Sequence, residues 1–136
     1  MSENKTISFT LGNLNFEYDE NKNSDNIKKH GISLKTAARV FFDYDRIELY
    51  DGEHSSFEDR YRVIGDEGIG RYWINVNGTL IGNLSHFINR VGEILLVVYT
   101  DRTVIEVDRK KKEIIRIISA RRATDFERRL YYGKNE

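Results

Sequence analysis

The chain has 136 residues, enough for one hydrophobic core and too few for two comfortable ones. Its 22 basic and 22 acidic residues cancel, so bulk charge does not mark a nucleic-acid binder, and the lack of cysteine excludes disulfides, thiol catalysis and cysteine-based metal sites. No apolar run approaches the ~20 residues of a membrane helix and the N-terminus lacks a signal-peptide core, so the expected location is cytoplasmic. Charge is unevenly placed all the same. The segment Asp43 to Glu67 is acidic and the last third is rich in Arg and Lys, which predicts a polarised surface.

Ile7, Phe9 and Leu11 alternate with polar residues, as do Leu14, Phe16 and Tyr18, and Gly12-Asn13 between them predicts a tight hairpin. Asp19 is placed to cap a helix running to His30, with Gly31 as its left-handed stop. Only Ile27 is strongly apolar there, so that helix is expected to be mostly exposed. Ser33 caps a second helix whose Leu34, Ala37, Ala38 and Phe41 make a core-facing stripe at i, i+3, i+4 and i+7. Ile47 to Tyr50 and Arg60 to Gly65 read as strands around a polar loop, Asp51 to Asp59.

Farther on, Tyr72 to Val76 and Thr79 to Ile81 flank Asn77-Gly78, a dipeptide that favours a hairpin turn. Leu84, Phe87, Ile88 and Val91 repeat at helical spacing before Gly92. Ile94 to Thr100 is a near-continuous apolar run and predicts a central strand. Thr103 to Val107 and Glu113 to Ala120, joined through Asp108 to Lys112, predict another hairpin. His54 and His86 are isolated, so no zinc site is expected, and Gly65, Gly68 and Gly70 lack the helix and lysine of a nucleotide loop.

Ile114 to Tyr132 reads as a β-branched strand running into a short basic helix. Thr124 followed by Glu127 is a capping box that starts the helix at Asp125. Of its stripes, Phe126 with Leu130 looks like the core anchor. Strand alternation puts Arg121 on one face with Ser119, Ile117 and Ile115, and Arg116 on the other with Ile114 and Ile118. The two arginines cannot share a ligand unless a bulge or the strand end intervenes. These elements predict an α+β fold in a single domain over residues 1–136. It is a mostly antiparallel sheet of four to seven strands, with two helices from the N-terminal half on one face and a short C-terminal helix.

Two end blocks, FEYDENKNSDNIKKHGISLKTAARVFFD and IIRIISARRAT with ERRLYY, together with RYRVIG and ILLVVYTDR between them, resemble the BrnT family, RelE-like ribonuclease toxins of bacterial type II toxin–antitoxin systems. The front block matches through Asp19, Lys22, Asn26, Lys29, His30 and Gly31. Tyr18 stands where Trp is commoner. Against the family pattern, residues at about 66–93 and 104–113 read as insertions.

The resemblance implies a metal-independent endoribonuclease, without cofactor, that cleaves RNA and inhibits translation. It also implies a BrnA-type antitoxin partner of ribbon-helix-helix fold, through which alone the complex would meet DNA. Cleavage by 2′-hydroxyl attack needs cationic donors at a phosphorane-like transition state. The expected catalytic residues are Arg121 and Arg128, with His30 as general acid or base and Lys29 beside it. Arg116, Arg122 and Lys22 are expected on the RNA backbone, and Tyr131 and Tyr132 stacked on a base. Each has a bland alternative. The arginines can pair with Glu127, Asp125 or the acidic middle, His30 can serve the helix dipole, and the tyrosines can cover the core edge. A non-catalytic RNA-binding or antitoxin-binding module on the same scaffold is the alternative function.

Overall fold

The computed structural model describes residues 5–54, 58–68 and 92–133. Strands β1 (Thr6–Leu11) and β2 (Leu14–Asp19) form the expected hairpin, with Gly12 at φ 54 in its turn. A side chain in that left-handed conformation would cost about 1–2 kcal/mol. Asp19 caps α1 (Glu20–His30) by accepting from the N–H groups of Asn21 and Lys22 at 2.8 and 3.2 Å, and Gly31 ends the helix at φ 69. Helix α2 (Leu34–Ala37), capped by Ser33, tightens into a 3-10 turn over Ala38–Phe42. There follow β3 (Ile47–Tyr50), β4 (Tyr61–Asp66), β5 (Ile94–Ile105), β6 (Lys111–Arg122) and α3 (Asp125–Gly133).

Among the described residues the strands form one mixed sheet in the order β1-β2-β6-β5-β4-β3, in which only β2 and β6 are parallel. The α+β architecture is thus the expected one. One correction concerns β5, which runs unbroken through the two segments expected as separate strands and pairs with β6 as a single long hairpin. The hairpin expected at 72–81 and the helix expected at 84–91 lie outside the described residues.

The face carrying α1 and α2 holds the larger core. Phe9, Phe16, Phe41, Tyr99, Tyr61 and Tyr50 make successive ring contacts across it from β1 to β3, with centroids 4.9 to 5.7 Å apart. Aromatic pairs at such separations add about 0.5–1.5 kcal/mol each beyond area burial. Helix α1 attaches through amides instead. Asn26 accepts from Ala120 N–H at 3.0 Å and donates to Ile32 O at 2.8 Å, while Asn23 accepts from Leu34 N–H at 2.9 Å. Ile27, its one large apolar residue, is exposed.

A β-bulge decides which residues share the other face. Val98 pairs with Ser119 and Tyr99 with Ile117, leaving Ile118 without a partner on β5. One extra residue inverts the alternation beyond it. Ile115, Ile117 and Ala120 therefore all enter the helix-side core. Ser119 and Arg121 emerge on the opposite face, together with Arg116.

Helix α3 packs on that opposite face, rotated from the orientation expected. Phe126 and Leu130 are 63% and 41% exposed, whereas Tyr131 is 2% exposed among Ile64, Ile94 and Leu96. The reason is polar. Tyr131 donates its hydroxyl to Asp43 Oδ2 at 2.6 Å, an oxygen that also accepts from Asp66 N–H at 2.8 Å, and Asp43 Oδ1 accepts from Asp45 N–H at 2.9 Å. Asp43 is fully buried, so these bonds replace its hydration.

Replacing Tyr131 by Phe leaves a buried carboxylate short of one donor and should lower stability by about 1–3 kcal/mol. Phe126→Ser should change it by no more than about 0.5 kcal/mol. Urea unfolding midpoints report both, and the reverse order would show that the helix is seated on its other stripe.

Candidate functional site

Among the described residues, the face opposite α1 and α2 is covered by α3 at one end only, and beside that helix lies a cleft of about 300 Å³ lined by Asp51, Arg60, Arg62, Leu96, Val98, Ile118, Ser119 and Arg121. Cross-strand pairing aligns Leu49, Arg62, Val98 and Ser119 in one row and Ile47, Ile64, Leu96 and Arg121 in the next. Three guanidinium groups therefore line one concavity, Arg60 from the residue before β4, Arg62 from β4 and Arg121 from β6. Arg62 makes no hydrogen bond or ion pair among the described residues, and its Nε is buried. Arg60 pairs with Glu58 at 3.7 Å.

Arg121 is held as a fork. Its Nη1 and Nη2 donate to Glu127 Oε1 and Oε2 at 2.7 and 3.0 Å, and Nη1 also reaches Arg122 O at 3.2 Å. The same carboxylate closes the predicted capping box, accepting from Thr124 N–H at 2.9 Å while Glu127 N–H donates to Thr124 Oγ1 at 3.2 Å. Glu127 thus fixes the start of α3 and the orientation of Arg121 together. The Arg121 guanidinium holds the Glu127 carboxyl below its ordinary value against the opposing effect of burial, with Thr124 helping.

A second cluster lies farther along the same face. Glu17, 2% exposed, accepts from Arg102 Nη2 at 2.7 Å, Arg102 Nε at 3.0 Å and Arg116 Nη1 at 2.9 Å. Arg102 above all, and then Arg116, hold this carboxyl low although burial pushes it up.

The other expected residues are dispersed. Arg128 is exposed on the outer side of α3, over the Tyr132 ring at 5.8 Å, and lines a separate open concavity of about 530 Å³ with Asp125, Arg129 and Gly133. Arg122 points to the helix side, where its Nη1 donates to His30 O at 2.9 Å and its Nε pairs with Glu93 at 2.6 Å. Lys22, Lys29 and His30 belong to α1 on that same side, with both lysines exposed. Tyr131 is corrected outright: its ring is core and offers no surface to a base. Arg60 and Arg62 were missed. Their spacing of two within a strand was the available signal, since it puts both on one face.

Among the described residues no cluster of three His, Asp or Glu is placed to hold a metal ion, and no helix is long and apolar enough to cross a membrane. The model of a sequence family, the ribonuclease toxin BrnT of type II toxin–antitoxin systems, matches residues 18–88, more than half of the chain. The chain belongs to the BrnT family. Membership makes it, at the level of the family, a ribonuclease toxin with an RNA substrate and an antitoxin partner. Among curated proteins none matches the chain. The stretch matched to BrnT contains α1, α2, β3 and β4, and with β4 the two arginines Arg60 and Arg62; Arg116 and Arg121 lie beyond it.

Both Glu17 and Glu127 are more acidic folded than unfolded. Their contribution to stability is therefore complete above the ordinary glutamate value of 4.5 and is lost as pH falls through the lowered values. Urea midpoints followed from neutral pH downward should fall more steeply for the wild type than for Glu127→Gln or Glu17→Gln. The curves should converge in acid.

Proposed function

We propose that this protein is a metal-independent endoribonuclease that halts translation by cutting RNA in the cytoplasm. The observation that carries the reading is Arg62, a guanidinium with no protein partner among the described residues, in a cleft shared with Arg60 and Arg121. A partly buried cation is stabilised by a bound anion, and a phosphodiester meets the fork geometry of arginine with two oxygens.

The scissile phosphate sits between Arg62 and Arg121, with the Ser119 hydroxyl as a further donor. As the 2′-hydroxyl attacks phosphorus its proton passes to water, the P–O5′ bond breaks and the leaving 5′-oxygen takes a proton from water, which yields a 2′,3′-cyclic phosphate. The second negative charge that develops on the phosphorane is met by donors already aimed at it. Glu127 keeps Arg121 from reorganising during that step. No histidine lines the cleft among the described residues, and charge stabilisation and positioning by the arginines supply most of the acceleration. Arg128, His30 and Lys29 stand apart from this cleft and enter the proposal as RNA or partner contacts. So do Lys22, Arg122 and Tyr132.

The cognate partner is a BrnA-type antitoxin with a ribbon-helix-helix fold, through which the complex reaches operator DNA. The chain forms one domain, with 66–93 and 104–113 as additions to the family scaffold.

Purified protein should cleave RNA in EDTA. Arg62→Ala should lower kcat/KM by about 10²–10³, the usual loss for one transition-state donor. It should leave thermal stability unchanged, because Arg62 has no partner to lose among the described residues. Arg121→Ala should abolish cleavage as well, at some cost in stability from the abandoned Glu127. Equal cleavage by all three proteins would mean a contaminating nuclease. Tight RNA binding without cleavage would favour the non-catalytic module, a reading supported by the Arg121–Glu127 fork, which already occupies much of one donor set.

A further inference from the structure

We infer that the sheet face opposite α1 and α2, open beyond α3 among the described residues, carries a second backbone-phosphate subsite at Arg102 and Arg116, so that the substrate is single-stranded RNA lying along β6 from the Arg121 cleft toward the β5–β6 hairpin. The inference rests on the ribonuclease reading for the identity of the polymer.

The cluster is organised as an anion site. Glu17 has both oxygens occupied, one by Arg102 and the other by Arg102 and Arg116 together. Two guanidinium groups against one carboxylate leave a net positive charge. The Nη1 of Arg102 and the Nε and Nη2 of Arg116 have no protein partner among the described residues, and their side chains are 51% and 30% exposed. A buried carboxylate thus clamps two forks at fixed orientation while their remaining donors stay open, which removes most of the entropy cost of engaging a phosphate.

Its placement relates it to the cleft. Thanks to the bulge at Ile118, Arg116 and Arg121 share a face of one strand, five residues apart with one of them in the bulge. At a rise of ~3.3 Å per residue the two lie about 15 Å apart. Single-stranded RNA covers that in roughly two to four nucleotides, four if bases stay stacked at ~3.4 Å. Thr100 pairs with Arg116 in the same row, and its hydroxyl donates to Asp59 O at 2.7 Å beside Arg60. Val98, Ile118 and Ser119 lie between that row and Arg121 and offer a largely apolar floor for ribose or base between the two cationic sites. Past Arg116 the face continues into a shallow depression of about 230 Å³ bordered by Asn15 and Lys112.

A single strand fits for a chemical reason also. In-line attack needs the 2′-oxygen, phosphorus and leaving oxygen collinear, and the A-form duplex holds them away from that line. Among the described residues the strip offers donors without a groove shaped for a duplex.

The test uses 2′-O-methyl oligouridylates, which cannot be cleaved, as a dimer and as an octamer, with binding followed by anisotropy against salt. For the wild type the octamer should bind more tightly and with a steeper salt slope. Arg102→Ala should weaken the octamer on the order of 3- to 10-fold and reduce its slope by about 0.7, the value for one phosphate contact on a single strand, while sparing the dimer. Arg116 still pairs with Glu17 in that variant. Arg102→Gln, which retains a donor to Glu17, is the second variant and should behave alike. An unchanged octamer slope, or equal losses for both lengths, overturns the subsite and leaves the face to a protein partner. A loss with Arg102→Ala but none with Arg62→Ala would uphold the subsite while defeating the cleft as the place of cleavage. Wild-type protein that binds neither oligomer defeats both.

Discussion

The hydrogen bond from Tyr131 to the buried carboxylate of Asp43 is the contact on which the working face depends. Asp43 stands at the end of the 3-10 turn and takes the backbone N–H of Asp66 as well, so one side chain joins the helix layer, the end of β4 and the C-terminal helix. With Tyr131 committed to that partner, the helix has one rotation available. That rotation turns Glu127 toward β6, and Glu127 in turn holds Arg121. A buried carboxylate without its donors is strongly unfavourable. The geometry of an exposed arginine is therefore enforced from the interior, across the thickness of the sheet.

Carboxylates on the opposite face act as orienting groups for cations. Glu127 secures one guanidinium and Glu17 secures two. Exposed ion pairs contribute little to stability, but here each carboxylate is buried and each arginine is not. Holding the arginines still costs conformational freedom during folding, and a phosphate ligand then finds its donors already placed. Overall neutrality is compatible with such a face because the acidic partners lie beneath it, where they position the cations without presenting themselves to solvent.

Local features were legible in the sequence. The cap at Asp19, the stop at Gly31, the stripe from Leu34 to Phe41 and the Thr124–Glu127 box each depend on residues a few positions apart, and each stands as read. Features settled by distant partners were not. Phe126 and Leu130 look like the core side of their helix until Asp43, 88 residues before Tyr131, is brought beside it. Asn26 looks like a surface residue until β6 offers it the N–H of Ala120. The strand carrying Ile114, Ile115, Ile117 and Ile118 is apolar almost throughout, so alternation cannot report its register, and strict period two assigned Arg121 to the wrong side. Arg60 and Arg62 could be read as neighbours on a face, but nothing near them says that their face is the open one.

The bulge at Ile118 has an evolutionary side. A one-residue irregularity determines whether the sequence after it is read out toward the helices or toward the open face, so loss of the Ile118 codon itself would restore plain alternation and leave Arg121 where it is, whereas a residue gained beyond the bulge would exchange Arg121 for Arg122 there. Alleles of this gene should thus be disarmed more readily by such an insertion than by loss of the bulge residue. Tolerance of the strand to substitution would then coexist with intolerance of added length.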